Sequence, residues 1–457
     1  MGDGAADERP KRVVPRLEPI VKHRHEEIAS LPIPDELMAE ILLLLPTADL
    51  ARASAACVSL RRVAADRSFL RLYRRLHPPP ILGFLEEYKN GRKIFHPAVP
   101  PYPSAPEASA ASFAADFSFS FLPAPASDWV VQDIRDGRVL LDRRPGHDNT
   151  DRYNLVFPET VVCDPLHRHY ILLPPIPAHL AATVEHPFWT RQQRYCETFL
   201  APRGDGQEEA SAAEETSFRV IWMAQCKTRL IAFVFSSSTG QWRAVPSWRW
   251  SEFSAGLPPS TAKSLFYWRH HVYACIYWMH GWMVDDCEES KLLVLNVKTM
   301  EFSIAKPPPE ANGCCDFAMV EAGEGRLGMF VQADSRSNLN YFIRQNDGGS
   351  SSQWQKVKTI SIGYSDHLMC NMEKHLLLYK WKRSETGCFM LDTETFQPNK
   401  VCTLGSPTYY KLHAYSNFPP SLLSPPTVSS GVGERAEKEM LEQGCAASSS
   451  AQSPRSE

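Results

Sequence analysis

The chain has 457 residues, of which 22% are charged and 43% hydrophobic, and a net charge of −3. That charge offers no global attraction to nucleic acid or to an acidic membrane surface. The length accommodates two or three domains, or one small and one large. The 37 prolines and 11 tryptophans favour short strands and turns over long helices. The 12 cysteines are scattered without a CxxC, which fits free thiols in a reducing, intracellular compartment, cytoplasmic and/or nuclear.

Residues 1–27 are charged and unpatterned, and composition predicts a disordered tail. The opening MGDGAADERPKRVV lacks the apolar core of a secretory signal, and position 6 is not the Ser or Thr of a myristoylation motif. The basic RPKR at 9–12 is read as a solvated patch. The longest strongly apolar run, Leu37 to Leu45, contains Glu40 and is too short to span a bilayer, so no membrane partner is expected.

A helical module is predicted over 28–80. Pro34 and Asp35 suit a helix start, since proline has no donor to leave unsatisfied and aspartate favours the positive dipole end. Leu37, Ile41, Leu44 and Leu45 share one helical face, while Met38 and Leu42 cover a second. A helix apolar nearly all round is either deep in a large core or shared with a partner. Pro46 ends it, and Thr47 and Asp49 start another. Leu50, Ala53, Cys57, Leu60 and Val63 then continue at helical spacing into an arginine-rich segment closed by HPPP at 77–80.

Residues 81–127 are expected to be a linker, Pro-, Ala- and Ser-rich from 97, with Phe113, Phe117, Phe119 and Phe121 marking the first strand beyond it. Beyond it the pattern becomes strands and turns. Asp136-Gly137 lies between two apolar runs, a hairpin signal. Four segments then share one plan, beginning at Thr160, Leu230, Lys291 and Gly387. In each, an apolar strand ends in Asp, Ser or Asn, a polar turn follows, and a second strand leads away. Asp164, Asn296 and Asp392 can bond to backbone two residues on, which suits a tight turn. A degenerate fifth unit, NYFIRQNDGGSSSQWQKV, brings the period to roughly 50 residues, as in kelch-like propeller blades. The predicted architecture is multidomain: a small all-α module, then an all-β propeller-like domain of about six blades over 128–418. APRGDGQEEASAAEETS, after Leu200, reads as a loop insertion, and 419–457 as a disordered C-terminal tail.

Metal and catalytic signals are weak. His270, His271, Cys275, His280, Asp285 and Cys287 fall in one aromatic stretch but match no zinc spacing, and the stretch reads as two buried strands with a turn. His167 with His169, and Cys314 with Cys315, lack companion ligands in sequence. No G-x-S-x-G, Walker A or G-x-G-x-x-G motif occurs. No catalytic, metal-binding or cofactor-binding residue is therefore predicted.

Taken together, Ile33-Pro34, Leu37, Ile41, Leu45-Pro46, Asp49-Leu50, Cys57, Arg61 and Asp66 resemble the F-box. RDGRVLL, VVCDPLHRHYILLPPIP and LDTETFQPNKV are similar to the propeller-like associated region of plant F-box proteins, especially those of grasses. Leu60 stands where that family usually has Trp, and Ala56 where it has Val. The resemblance implies a non-catalytic substrate receptor of an SCF-type cullin–RING ubiquitin ligase. Its F-box would dock on a Skp-family adaptor, and through it on a cullin scaffold, while the propeller holds an unknown protein target. Ile33, Pro34, Leu37, Ile41, Leu45, Pro46, Leu50, Cys57 and Leu60 are the adaptor-binding candidates that it implies. Trp248, Trp250, Trp278 and Trp282 are plausible target anchors in loops between blades. The competing reading is an intracellular propeller enzyme or sugar-binding protein whose helical module is only structural. A further alternative, nucleic-acid binding through the arginine-rich helix, is disfavoured because such a run is usually a solvated face.

Overall fold

The computed structural model describes residues 33–77, 80–88, 90–144, 156–185, 196–202, 217–226, 228–253, 266–280, 290–311, 316–332, 337–344, 353–363, 366–372, 375–380, 386–404 and 412–416. The expectations placed on 1–27, on 419–457 and on Trp282, Asp285, Cys287, Cys314 and Cys315 lie outside these residues. The chain divides into two compact units, Met1–Leu76 and His77–Glu457.

The first unit contains α1 (Asp35–Leu43), α2 (Thr47–Ala56), α3 (Val58–Ala64) and α4 (Arg67–Leu76). Pro34 and Pro46 sit at the N-caps of α1 and α2, and acidic Asp35, Glu36 and Asp49 occupy the first turns. The continuous helical spacing expected from Leu50 to Val63 is broken at Cys57, whose extended backbone (φ −144°, ψ 138°) separates α2 from α3. Spacing alone misses this break because the apolar positions resume almost in phase. Asp66 caps α4: its Oδ1 accepts from the N–H groups of Ser68 (2.9 Å) and Phe69 (3.1 Å).

The second unit opens with β1 (Ile81–Glu87), β2 (Lys93–Pro97) and α5 (Ala105–Ala114). The linker expected over 81–127 is thus corrected. Its first part is sheet, which strict alternation could not reveal because every residue of β1 is buried. Phe113 lies at the end of α5, not in a strand, and Phe117 and Phe119 plug the core from the turns that follow. Ala105, Ala108 and Ala111 form the buried stripe of α5, small enough for the helix to lie close against β1 and β2.

Five four-stranded antiparallel blades follow in chain order. They are β3 (Trp129–Arg135) to β6 (His169–Leu172), then β7 (Cys196–Leu200) to β10 (Gln241–Ala244), with the short β11 (Trp248–Arg249) continuing β10 along β9 (Arg229–Ser236). Next come β12 (Phe266–Val272) to β15 (Glu301–Ala305), β16 (Phe317–Glu321) to β19 (Trp354–Ser361), and β20 (Asp366–Met372) to β23 (Pro398–Thr403). The last strand, β24 (Leu412–Ser416), pairs with β1, so the order β2-β1-β24 makes a sixth blade from both ends of the unit. Because β24 lies beside β3 much as β3 lies beside β7, β24 is the inner strand of that blade. The fold is a six-blade β-propeller, mostly β overall.

The repeated segments in the sequence are the third and fourth strands of blades one, two, three and five, and the degenerate unit is the same hairpin of blade four. Their turns share one construction. Asp164, Asn296 and Asp392 each accept through Oδ1 the N–H two residues on, at 2.9, 2.9 and 3.0 Å. Four residues after the turn's start the backbone enters the left-handed region: Arg168 (φ 56°), Gly240 (67°), Met300 (57°) and Phe396 (58°). Only at Gly240 does the residue type relieve the resulting strain. Asp136-Gly137, with φ 52° and 75°, supplies the two positive values of a type I′ hairpin turn.

Candidate protein-docking surface

The helices of the first unit sort their apolar residues into two sets. Met38 (2% exposed) and Leu42 (1%) point inward with Leu50 (0%), Val63, Phe69 and Tyr73. Tyr73 anchors this core: its hydroxyl donates to the carbonyl of Leu45 at 2.8 Å, and its ring stacks on Phe69 at 5.9 Å. Arg61 closes the open end of α2, donating through Nε to the carbonyl of Ser54 (3.0 Å) and through Nη2 to that of Ala55 (3.4 Å). Arg62 reaches back to the start of α1 and grips both carboxylate oxygens of Asp35 at 2.8 and 2.9 Å.

The second set faces solvent. Leu37 (50%), Ile41 (50%) and Leu44 (81%) follow one another at spacings of four and three residues and so form one exposed stripe along α1, and Ile33 (39%) is exposed just before the helix. Val58 (48%), at the start of α3, is a further exposed apolar side chain of this unit. Leu72 and Leu76 form a separate exposed pair, one turn apart on α4. Pro34 and Pro46 are exposed, whereas Leu45, Cys57 and Leu60 are half-buried. The N–H groups of Leu60 and Ser59 hold the Cys57 thiol below its ordinary value.

Of the nine candidate positions, Leu50 is misplaced. It is fully buried in the module's own core and cannot touch a partner while the module is folded. Helical spacing puts Leu50 in phase with other apolar residues but does not say which way that phase faces. Leu44 and Val58 are the residues the candidate set omits. Leu44 falls on the same face as Leu37 and Ile41, so its periodicity carried the signal.

In the second unit most large apolar side chains are buried, with Phe113 (89%), Val357 (50%) and Leu172 (40%) exposed, and polar groups knit the inner strands. Arg269 on β12 donates to Glu197 of β7 (2.7 Å), lies 3.4 Å from Asp133 of β3, and covers the Phe199 ring at 4.5 Å. Trp278 donates its indole N–H to the same Glu197 at 2.7 Å and is 1% exposed. It is a core residue, which corrects its reading as a target anchor. Trp250, half-buried, donates to the carbonyl of Cys226 at 2.6 Å. Half-buried Trp248 lines a groove of about 390 Å³ between blades two and three, together with Pro246, Thr299, Glu301, Phe302 and Ser303. Burial, with further depression from Arg135, Arg269 and His270, holds His271 well below its ordinary pKa and hence neutral. Among the described residues, no three His, Cys, Asp or Glu side chains converge as a metal site would require, and no helix is long and apolar enough to cross a membrane.

With this geometry in place, comparison with known families matches residues 31–77 to the F-box-like family. The chain therefore carries an F-box-like domain followed by a six-blade propeller. No curated protein matches the chain. Solved structures similar to it include oligogalacturonate lyase in complex with manganese (8% identity, 61% of this chain and 63% of that one, TM-score 0.31). The β-propeller domain of the Trilobed protease from Pyrococcus furiosus is similar at 8% identity, covering 59% of this chain and 69% of that one, with a TM-score of 0.32. Puromycin hydrolase is similar at 9% identity, covering 70% and 42%, with a TM-score of 0.34. The chain spans less than two thirds of the lyase and less than half of puromycin hydrolase. These likenesses are too low to carry any argument about activity.

Proposed function

We propose that this protein is the substrate-recognition subunit of an SCF-type cullin–RING ubiquitin ligase. The F-box-like domain docks on a Skp-family adaptor and through it on a cullin scaffold, and the propeller holds the protein to be ubiquitinated. The chain itself performs no bond chemistry; it supplies proximity, inside the cell in the cytoplasm and/or nucleus. The observation that carries this reading is the exposed stripe Leu37, Ile41 and Leu44 on a helix whose opposite face already fills the module's core, with Ile33 exposed just before it. Covering each such side chain with a partner contributes on the order of 1.5–3 kcal/mol before association costs.

Target contacts are assigned to the loops between blades, where Trp248 and Trp250 remain candidates. The test is affinity purification of the intact chain with the proteasome or cullin neddylation inhibited, read by mass spectrometry. Co-purification of a Skp-family adaptor, a cullin and a ubiquitinated protein is the expected result. Recovery of none of them, with a folded and abundant chain, would favour the propeller enzyme or sugar-binding alternative.

A further inference from the structure

Cys163, Cys388 and Cys402 all belong to the apolar cluster in which blades one, five and six meet. Two of them face each other. The register of β22 (Gly387–Asp392) with β23 sets Cys388 opposite Cys402, and both are thiols in this structure. Directly opposed residues of antiparallel strands have Cα atoms roughly 4.5–5.5 Å apart, and a disulfide needs roughly 4.4–6.8 Å. The two ranges overlap, so the pairing register is one that a disulfide can span. Both side chains are 0% exposed and enter the same cluster, so they lie on one face of the hairpin. The strands are also pressed close together: a Cβ added at Gly387 would meet the carbonyl oxygen of Cys402 at 2.2 Å. Among the described residues, no other pair of cysteines is opposed in register.

The position gives such a bond something to hold. A bulge beside Cys388 leaves Val401 as the extra residue of β23, and the Val401 carbonyl accepts the N–H of Val99, just after β2, at 2.8 Å. The hairpin β22–β23 is thus hydrogen-bonded to the blade that joins the two ends of the propeller. β23 is the outermost strand of its sheet, and its Pro398, Asn399 and Thr403 are exposed, so fraying of this one strand admits a small reagent.

We propose that Cys388 and Cys402 are a site of reversible disulfide formation that pins the β22–β23 hairpin at the closure of the propeller. The oxidant is a small-molecule disulfide of the glutathione class. One protein thiolate attacks a sulfur of the reagent and expels the first small thiolate, leaving a mixed disulfide. The second protein thiolate then attacks the protein-side sulfur and expels the other. Two protein thiols lose two protons and two electrons, and the reagent's disulfide becomes two thiols.

The test incubates the full chain, folded, with oxidised glutathione, then maps it by proteolysis and mass spectrometry without reductant and follows amide hydrogen exchange. The expected result is a peptide cross-linked between Cys388 and Cys402, two hydrogens lighter than its reduced parts and restored by dithiothreitol. Amide exchange in β22 and β23 slows by roughly tenfold or more. Cys402→Ala abolishes both effects, and Cys388→Ala serves as the second variant should the first not fold. Unmodified thiols, a separate glutathione adduct on each cysteine, or a cross-link that leaves exchange unchanged would overturn the proposal. Wild-type mapping alone decides the first two.

Discussion

The two units use apolar side chains in opposite ways. In the propeller, strands such as β5 (Thr160–Asp164), β8 (Arg219–Gln225) and β17 (Leu327–Gln332) are buried almost throughout, because both faces of a blade lie against other blades. In the helical module, α1 buries Met38 and Leu42 yet leaves Leu37, Ile41 and Leu44 half-exposed or more. A module this small has too little interior for both faces of so apolar a helix. The surplus is what a partner covers, and the contrast separates residues that hold the fold from residues that make the contact.

The largest expected effect lies on the propeller side. Trp278→Ala removes a fully buried indole and the donor to Glu197, and should lower the propeller's unfolding free energy by about 3–5 kcal/mol in urea titration. On α1, Leu42→Ala should cost about 2–5 kcal/mol, whereas Leu37→Ala, on the opposite face, should stay within about 0.5 kcal/mol. Equal costs at the two positions would erase the distinction between the faces. Asp66→Ala deletes the cap of α4 and should cost about 1 kcal/mol, visible as a lower thermal midpoint of the helical unit. The smallest change runs the other way. Arg168→Gly relieves a left-handed backbone at an exposed turn position and should raise propeller stability by about 0.5–1 kcal/mol.

Acid should act on the turns of the propeller. Partial burial would push the carboxyls of Asp116 and Asp392 up. The hydroxyl and N–H donors of Ser118 and Ser120, and of Thr395 with the N–H of Glu394, outweigh it and hold both below the ordinary 3.8. A carboxyl lowered in the folded state contributes stability that is fully present above its unfolded value and is lost as pH falls through the folded one. Thermal midpoints measured downward from pH 5 should therefore drop below about pH 4, and less steeply for Asp392→Asn.

Much of this was legible in the sequence because the signals were local. The turn at Asp136-Gly137 and the Asp or Asn residues that open the outer turns depend on a few neighbouring atoms, and the repeated hairpins made the blades countable. What sequence concealed was set by distant pairing. β1 looked like part of a linker because one of its two partners, β24, lies more than 300 residues away in the chain. Leu50 and Leu37 have the same chemistry and sit on successive helices, yet one is core and the other is exposed, a choice made by how α2 packs on α3 and how α3 and α4 pack on α1. Trp278 and Trp248 divide in the same manner, because only the assembled blades determine which indole is enclosed.

The central claim is that the exposed face of α1 is the adaptor contact, and it is tested most directly by titrating a purified Skp-family adaptor against the full chain and its Leu37→Asp, Ile41→Asp variant. Circular dichroism melts of both chains confirm folding. The account predicts saturable binding by the parent chain and at least a hundredfold weaker binding by the variant, with thermal midpoints that agree. Equal affinity of the two chains for the adaptor would contradict it.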